Sequence, residues 1–159
     1  MNSMAQSWNT FWFGGDYTVY RIRALKFLLY GLAAFDMWAL MIEHAARYGA
    51  GGFNVAQIPL LELLPLPSQT AALFCWFFGG CMAMRAALGI RYRSSAWMAG
   101  VSYFGLYMWS QIDSYQHHYL VGLLLCVGAC LPNPGAKDEG RHWAIPLIYV
   151  QLALLYFWT

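Results

Sequence analysis

The residues able to do chemistry in this chain fall into two groups. Asp36 stands near the middle of an apolar run, and Glu43 and His44 follow towards its end. The stretch from Gln111 to Tyr119 then supplies Asp113, His117, His118 and Tyr119. Carboxylates and imidazoles in company can pass protons or hold a metal ion. His117 and His118 are adjacent, however, and on a helix they point about 100° apart, so they are poorly set to share one metal. No metal site is expected. A carboxylate deep in an apolar run costs on the order of 2.5–3.5 kcal/mol in lipid, so Asp36 should face a protein interior and find a partner there. Glu43 lies seven residues on, two turns up the same face. Asp36 is read either as a proton- or ligand-handling group or as a structural hydrogen-bond partner of a Ser, Tyr or Trp on a neighbouring helix. The structural reading is favoured. His117 and Asp113 are the candidates for acid–base work, and His117, Tyr119 and Asp36 for binding a quinone-like lipid or a pigment. A haem held by two histidines would need a pair across two helix centres, and that pattern is missing. Cys75 and Cys81 share one run and Cys126 and Cys130 another, without the paired short spacings of a zinc or iron–sulfur site. They read as small apolar residues.

The elements that position these groups follow from composition. Of 159 residues, 60% are hydrophobic and only 10% charged. A soluble domain carries roughly 25% charged residues, so most of this surface cannot be meant for water. A net charge of +2 is too small to suggest a nucleic-acid partner. A bilayer core needs about 20 apolar residues per helix, and helices satisfy their own backbone groups in lipid. Five runs approach that length: 24–46, 69–88, 95–112, 117–131 and 143–158. The expected fold is therefore all-α, a polytopic membrane bundle of about five transmembrane helices over residues 24–159. Residues 1–23 form an interfacial segment anchored by Trp8, Phe11, Trp12 and Phe13. They lack a basic start and a compact apolar stretch, so no signal peptide is expected.

The loops orient the bundle. Arg21, Arg23, Lys26, Arg85, Arg91, Arg93, Lys137 and Arg141 fall on one side, and Arg47 alone falls on the other. Basic residues in short loops mark the cytoplasmic side, which puts the N-terminus inside and the C-terminus outside. Gly49, Gly51 and Gly52 end the first span, while Pro65 and Pro67 stop a helix from running into the second. The apolar piece from Val55 to Leu64 is too short to cross and reads as lying on the outer interface. The stretch 111–119 falls on the same outer side, level with Glu43 and His44.

The order of these features resembles the horizontally transferred transmembrane domain family, the membrane part of vitamin K-dependent gamma-carboxylase and its bacterial relatives. The resemblance is carried by Arg23 through Gly31 with Asp36, by Gly49 through Phe53 with Pro65, by Tyr115 through Leu120, and by Trp143 through Phe157. It implies a membrane bundle in the inner membrane of a bacterium and quinone-type chemistry near His117. In that family the last helix leads into a turn bearing a catalytic lysine, followed by a lumenal domain. Here the resemblance stops at Phe157, Trp158 and Thr159, and Lys26 and Lys137 both fall on the expected inner side. Gln116 and His118 also replace the family's usual Asn and aromatic residue. The expectation is a non-catalytic, reduced scaffold serving as an accessory subunit of a larger membrane complex, with the lipid bilayer and other membrane subunits as partners. Gly79 and Gly80 are expected to allow close helix approach. The competing expectation is a quinone- or lipid-binding or carboxylase-like enzyme built on the outer His and Asp residues.

Overall fold

The computed structural model describes residues 3–14, 18–48, 59, 63, 65, 67–109, 116–132 and 142–158, and of residues 3, 109, 116, 117, 155, 156 and 158 the backbone only. Among the described residues there are seven α-helices and no strands. In chain order they are α1 (Ser3–Phe13), α2 (Val19–Ala39), α3 (Met41–Ala46), α4 (Gln69–Ala87), α5 (Tyr92–Trp109), α6 (Gln116–Ala129) and α7 (Ala144–Trp158). Helix α4 is the one among the described residues that is long and apolar enough, by length and composition, to cross a membrane.

The five apolar runs fall on helices, with two departures at the first. The run 24–46 is not one helix, because it is broken at Leu40, which leaves helical geometry (φ −107°, ψ 2°) between α2 and α3. No proline or glycine marks that position, so a reading by hydropathy passes through it. Helix α2 also starts at Val19, which moves Val19 through Arg23 out of the N-terminal segment and into the bundle. The interfacial piece 55–64 lies outside the described residues apart from Pro59 and Leu63, as do Asp113 and the loop 133–141.

Helices α2, α4, α5 and α6 pack in a layer-like order, α2 on α4, α4 on α5 and α5 on α6, with α3 against α4 and α7 against α6. Small residues hold the contacts. Ala33, Ala34, Ala72, Ala83, Ala86, Ala96, Ala99 and Ala129 are buried, together with Gly79 and Gly80. A Cβ at Gly79 would collide with the Met37 side chain, and one at Gly80 with the Trp38 indole. These two glycines therefore set how closely α4 approaches α2, as expected of small residues at a helix crossing.

Tyrosines stitch the layers through backbone carbonyls. Tyr30 donates to the Leu125 carbonyl at 2.6 Å, Tyr92 to that of Gly128 at 2.5 Å and Tyr48 to that of Leu106 at 3.1 Å. Each bond places a polar atom in an apolar interior with its partner supplied, which is the condition for tolerating it there. Helix α4 closes with a Schellman motif: Gly89 in the left-handed region (φ +75°), with Ile90 N–H bonded to the Arg85 carbonyl and Gly89 N–H to that of Ala86. Ser95 then turns its hydroxyl onto the Ile90 carbonyl and Ser94 onto that of Arg91, which starts α5 tightly after the turn.

Candidate functional site

Asp36 lies one turn before the break at Leu40 and faces α5. Its carboxylate accepts from the Tyr103 hydroxyl at 3.3 Å, and the Tyr103 oxygen is 3.2 Å from His118 Nδ1 on α6. Three helices thus contribute one group each to a single polar chain. A hydroxyl carries one proton. If Tyr103 spends it on an ionised Asp36, Nδ1 of His118 must bear the proton that completes the second bond. The arrangement then reads imidazole N–H to tyrosine oxygen, and tyrosine O–H to carboxylate. The contact to Asp36 is longer than an ordinary O–H···O bond and the one to His118 is at the long end for N–H···O, so both are weak.

Aromatic rings enclose this chain. His118 stacks on Tyr107 with centroids 4.1 Å apart and planes 13° from parallel. Tyr107 is one helical turn beyond Tyr103, and their ring centroids are 5.0 Å apart. Trp76 of α4 stands edge-on to both, at 5.8 Å from Tyr103 and 5.5 Å from Tyr107. His44 of α3 closes the cluster, 5.3 Å from the Trp76 ring and 6.5 Å from that of Tyr107. The bend at Leu40 gives α3 its own direction from α2. Trp76 is only 1% exposed, and its indole N–H has no acceptor among the described groups.

Asp36 joins the chain through Tyr103 on α5. Glu43 does not take part in it, since it is exposed and pairs with Arg47 at 2.8 Å on α3. Tyr119 is half-buried and meets Phe104 edge-on at 6.3 Å. His117 lies on the first turn of α6 with its side chain outside the description, and Asp113 lies outside it altogether. The histidine that reaches the chain among the described side chains is His118. Tyr103, Tyr107 and Trp76 went unnoticed in the sequence, because single aromatics in apolar runs look like ordinary core or lipid contacts. The spacing of four between the two tyrosines is the one signal that pointed to a shared face.

Cys126 and Cys130 are thiols, with Cys130 Sγ 3.7 Å from the Cys126 carbonyl. Among the described residues, no group of three or more His, Cys, Asp and Glu is placed to hold a metal. Comparison with protein-family models, with curated proteins and with solved structures finds no match.

Proposed function

We propose that this chain is a polytopic membrane protein of about five spans, in the inner membrane of a bacterium, that acts as a non-catalytic accessory subunit of a larger membrane assembly. The observation that carries the reading is the inverted distribution of side chains. Alanine, glycine and tyrosine fill the interior, whereas Phe27, Leu32, Phe35, Phe74, Phe77 and Val101 point outward. Phe35 is 70% and Phe74 69% exposed. Water would not tolerate an apolar surface of this extent, and lipid or a membrane partner would. Helices α2 and α5 earn the same reading although Arg, Lys and Asp residues lower their apolarity, because Asp36 is satisfied inside and the cations gather at one end. The kinship with the horizontally transferred transmembrane domain family is part of this proposal, resting on Tyr115 through Leu120 and the helix order. Purification in a mild detergent should yield a stable complex with other chains. Migration as a lone monomer in several gentle detergents would remove the accessory-subunit role.

A second reading is favoured by the Trp76 N–H in the aromatic cluster: a quinone-type ring held against Tyr107 and His118, with the Asp36–Tyr103–His118 chain behind it. Flat rings and hydrogen-bond donors are what such a ligand uses. Equal binding of a short-chain quinone by the parent, His118→Ala and Tyr103→Phe would eliminate it.

A further inference from the structure

At the end of the bundle that gathers the basic residues, a partly enclosed cavity of about 610 Å³ lies between the start of α2 and the turn joining α4 to α5. Arg23, Lys26 and Phe27 line it from α2, and Leu88, Arg91 and Tyr92 line it from the turn. The α2 residues recur at intervals of three and four, so one helix face is given over to the cavity. Lys26 is only 5% exposed. Its ammonium donates to the Pro132 carbonyl at 2.6 Å and stands 3.7 Å from the centroid of the Tyr92 ring. Both partners are neutral, so neither offsets the charge of the ammonium.

Arg91 adds an independent observation. It is the one non-glycine among the described residues with positive φ, at +44°. An arginine there is strained by about 1 kcal/mol or more, and a glycine would not be. The sequence holds a cation at a position whose backbone suits glycine, and that cation lines the cavity. The two described carboxylates are engaged elsewhere, Asp36 with Tyr103 and Glu43 with Arg47. Positive charge thus gathers around one partly enclosed space with no described carboxylate to offset it, which is the setting that draws in an anion.

We propose that this cavity binds a phosphate group. Arg23 and Arg91 offer planar forks matched to phosphate oxygens, and Lys26 offers a point charge from the floor. Phe27 and Leu88, both exposed, supply an apolar margin for whatever the phosphate carries. The group belongs either to the headgroup of an anionic phospholipid or to a soluble phosphate ester, and the recognition chemistry is the same for both.

The test uses the full chain, delipidated in a neutral detergent. Its melting temperature and binding are followed with dioleoylphosphatidylglycerol, with dioleoylphosphatidylcholine and with inorganic phosphate. Phosphatidylglycerol should bind about tenfold or more tightly than phosphatidylcholine, whose choline cation the cavity repels. The variant carrying Arg23→Gln and Arg91→Gln should lose about tenfold or more in affinity, whereas Arg21→Gln, outside the cavity, should not. Arg91→Gly keeps the test independent of folding defects, because it relieves the backbone while removing the fork. It should melt no lower than the parent and still bind more weakly. Competition by inorganic phosphate would assign the site to a soluble ester, and its absence to a lipid headgroup. Equal binding of both lipids, an equal loss in Arg21→Gln, or binding that appears only after Asp138→Asn and Glu139→Gln would each overturn the proposal.

Discussion

Tyr103 is the residue on which the internal polar chain depends, because it serves a carboxylate on one side and an imidazole on the other. Tyr103→Phe keeps the ring and removes the oxygen, leaving Asp36 and His118 without this partner. The expected loss is about 1–3 kcal/mol in unfolding measured in detergent. In a double-mutant cycle with Asp36→Asn, the two changes should couple by about 0.5 kcal/mol or more; additivity would mean that the carboxylate–tyrosine contact is incidental. His142 offers a second residue-scale prediction, outside the spans. Its Nδ1 accepts from the Ala144 N–H at 3.2 Å, at the start of α7. Burial, and then the charges of Arg93 and Lys26, hold its pKa below the ordinary 6.5. A histidine whose folded pKa is depressed is unprotonated in the fold, where Nδ1 can accept. The unfolded chain binds the proton first as pH falls. Stability is therefore complete above about pH 6.5 and declines as pH drops from there to the folded pKa. An imidazole titration followed by NMR should give His142 a midpoint below 6.5, and a midpoint above it would contradict the hydrogen bond to Ala144.

At the scale of elements, glycines separate packing from backbone effects. Gly80 sits against the Trp38 indole, while Gly31 of α2 has open space where a Cβ would stand. Gly80→Ala should destabilise the α2–α4 crossing by about 1–3 kcal/mol through overpacking. Gly31→Ala should be neutral or gain up to about 1 kcal/mol in helix propensity. Gly89 also has room around it, but its φ of +75° makes a side chain strained whatever the space. Gly89→Ala should therefore cost about 1 kcal/mol from the backbone alone. Thermal unfolding of the three variants in one detergent ranks them. Equal effects at Gly31 and Gly80 would mean that α4 does not rest on α2 as closely as the Trp38 contact requires.

For the whole molecule, the decisive prediction is sidedness. On the proposed five-span reading, eight Lys and Arg residues on one side against one on the other should put Arg93 and Lys137 inside and Ser114 outside. Single cysteines at those three positions, in a background lacking Cys75, Cys81, Cys126 and Cys130, can be probed on sealed cells with a membrane-impermeant thiol reagent. Labelling at Ser114 alone is expected. Labelling at Arg93 or Lys137 would reverse the orientation and move the basic cavity to the outer leaflet.

The helical class was legible in the sequence, and so was the apolar helix α4 between its proline and glycine stops, because hydropathy and glycine–proline punctuation act locally along the chain. The need of Asp36 for a partner was legible for the same reason, since the cost of a carboxylate in apolar surroundings depends on the residue and its run. Which partner it finds was not. Tyr103 is 67 residues away and His118 a further 15 from Tyr103, and only the packing of α2, α5 and α6 brings them together. The break at Leu40 belongs to tertiary structure too: no helix-breaking residue encodes it, and it frees α3 to carry His44 to Trp76 while Glu43 turns outward. The gathering of cations at one end was visible as a charge pattern, but the cavity was not. It lies where the Schellman turn after α4, with its left-handed Arg91, meets the start of α2 and the buried Lys26, and that meeting depends on the packing of α4 against α2.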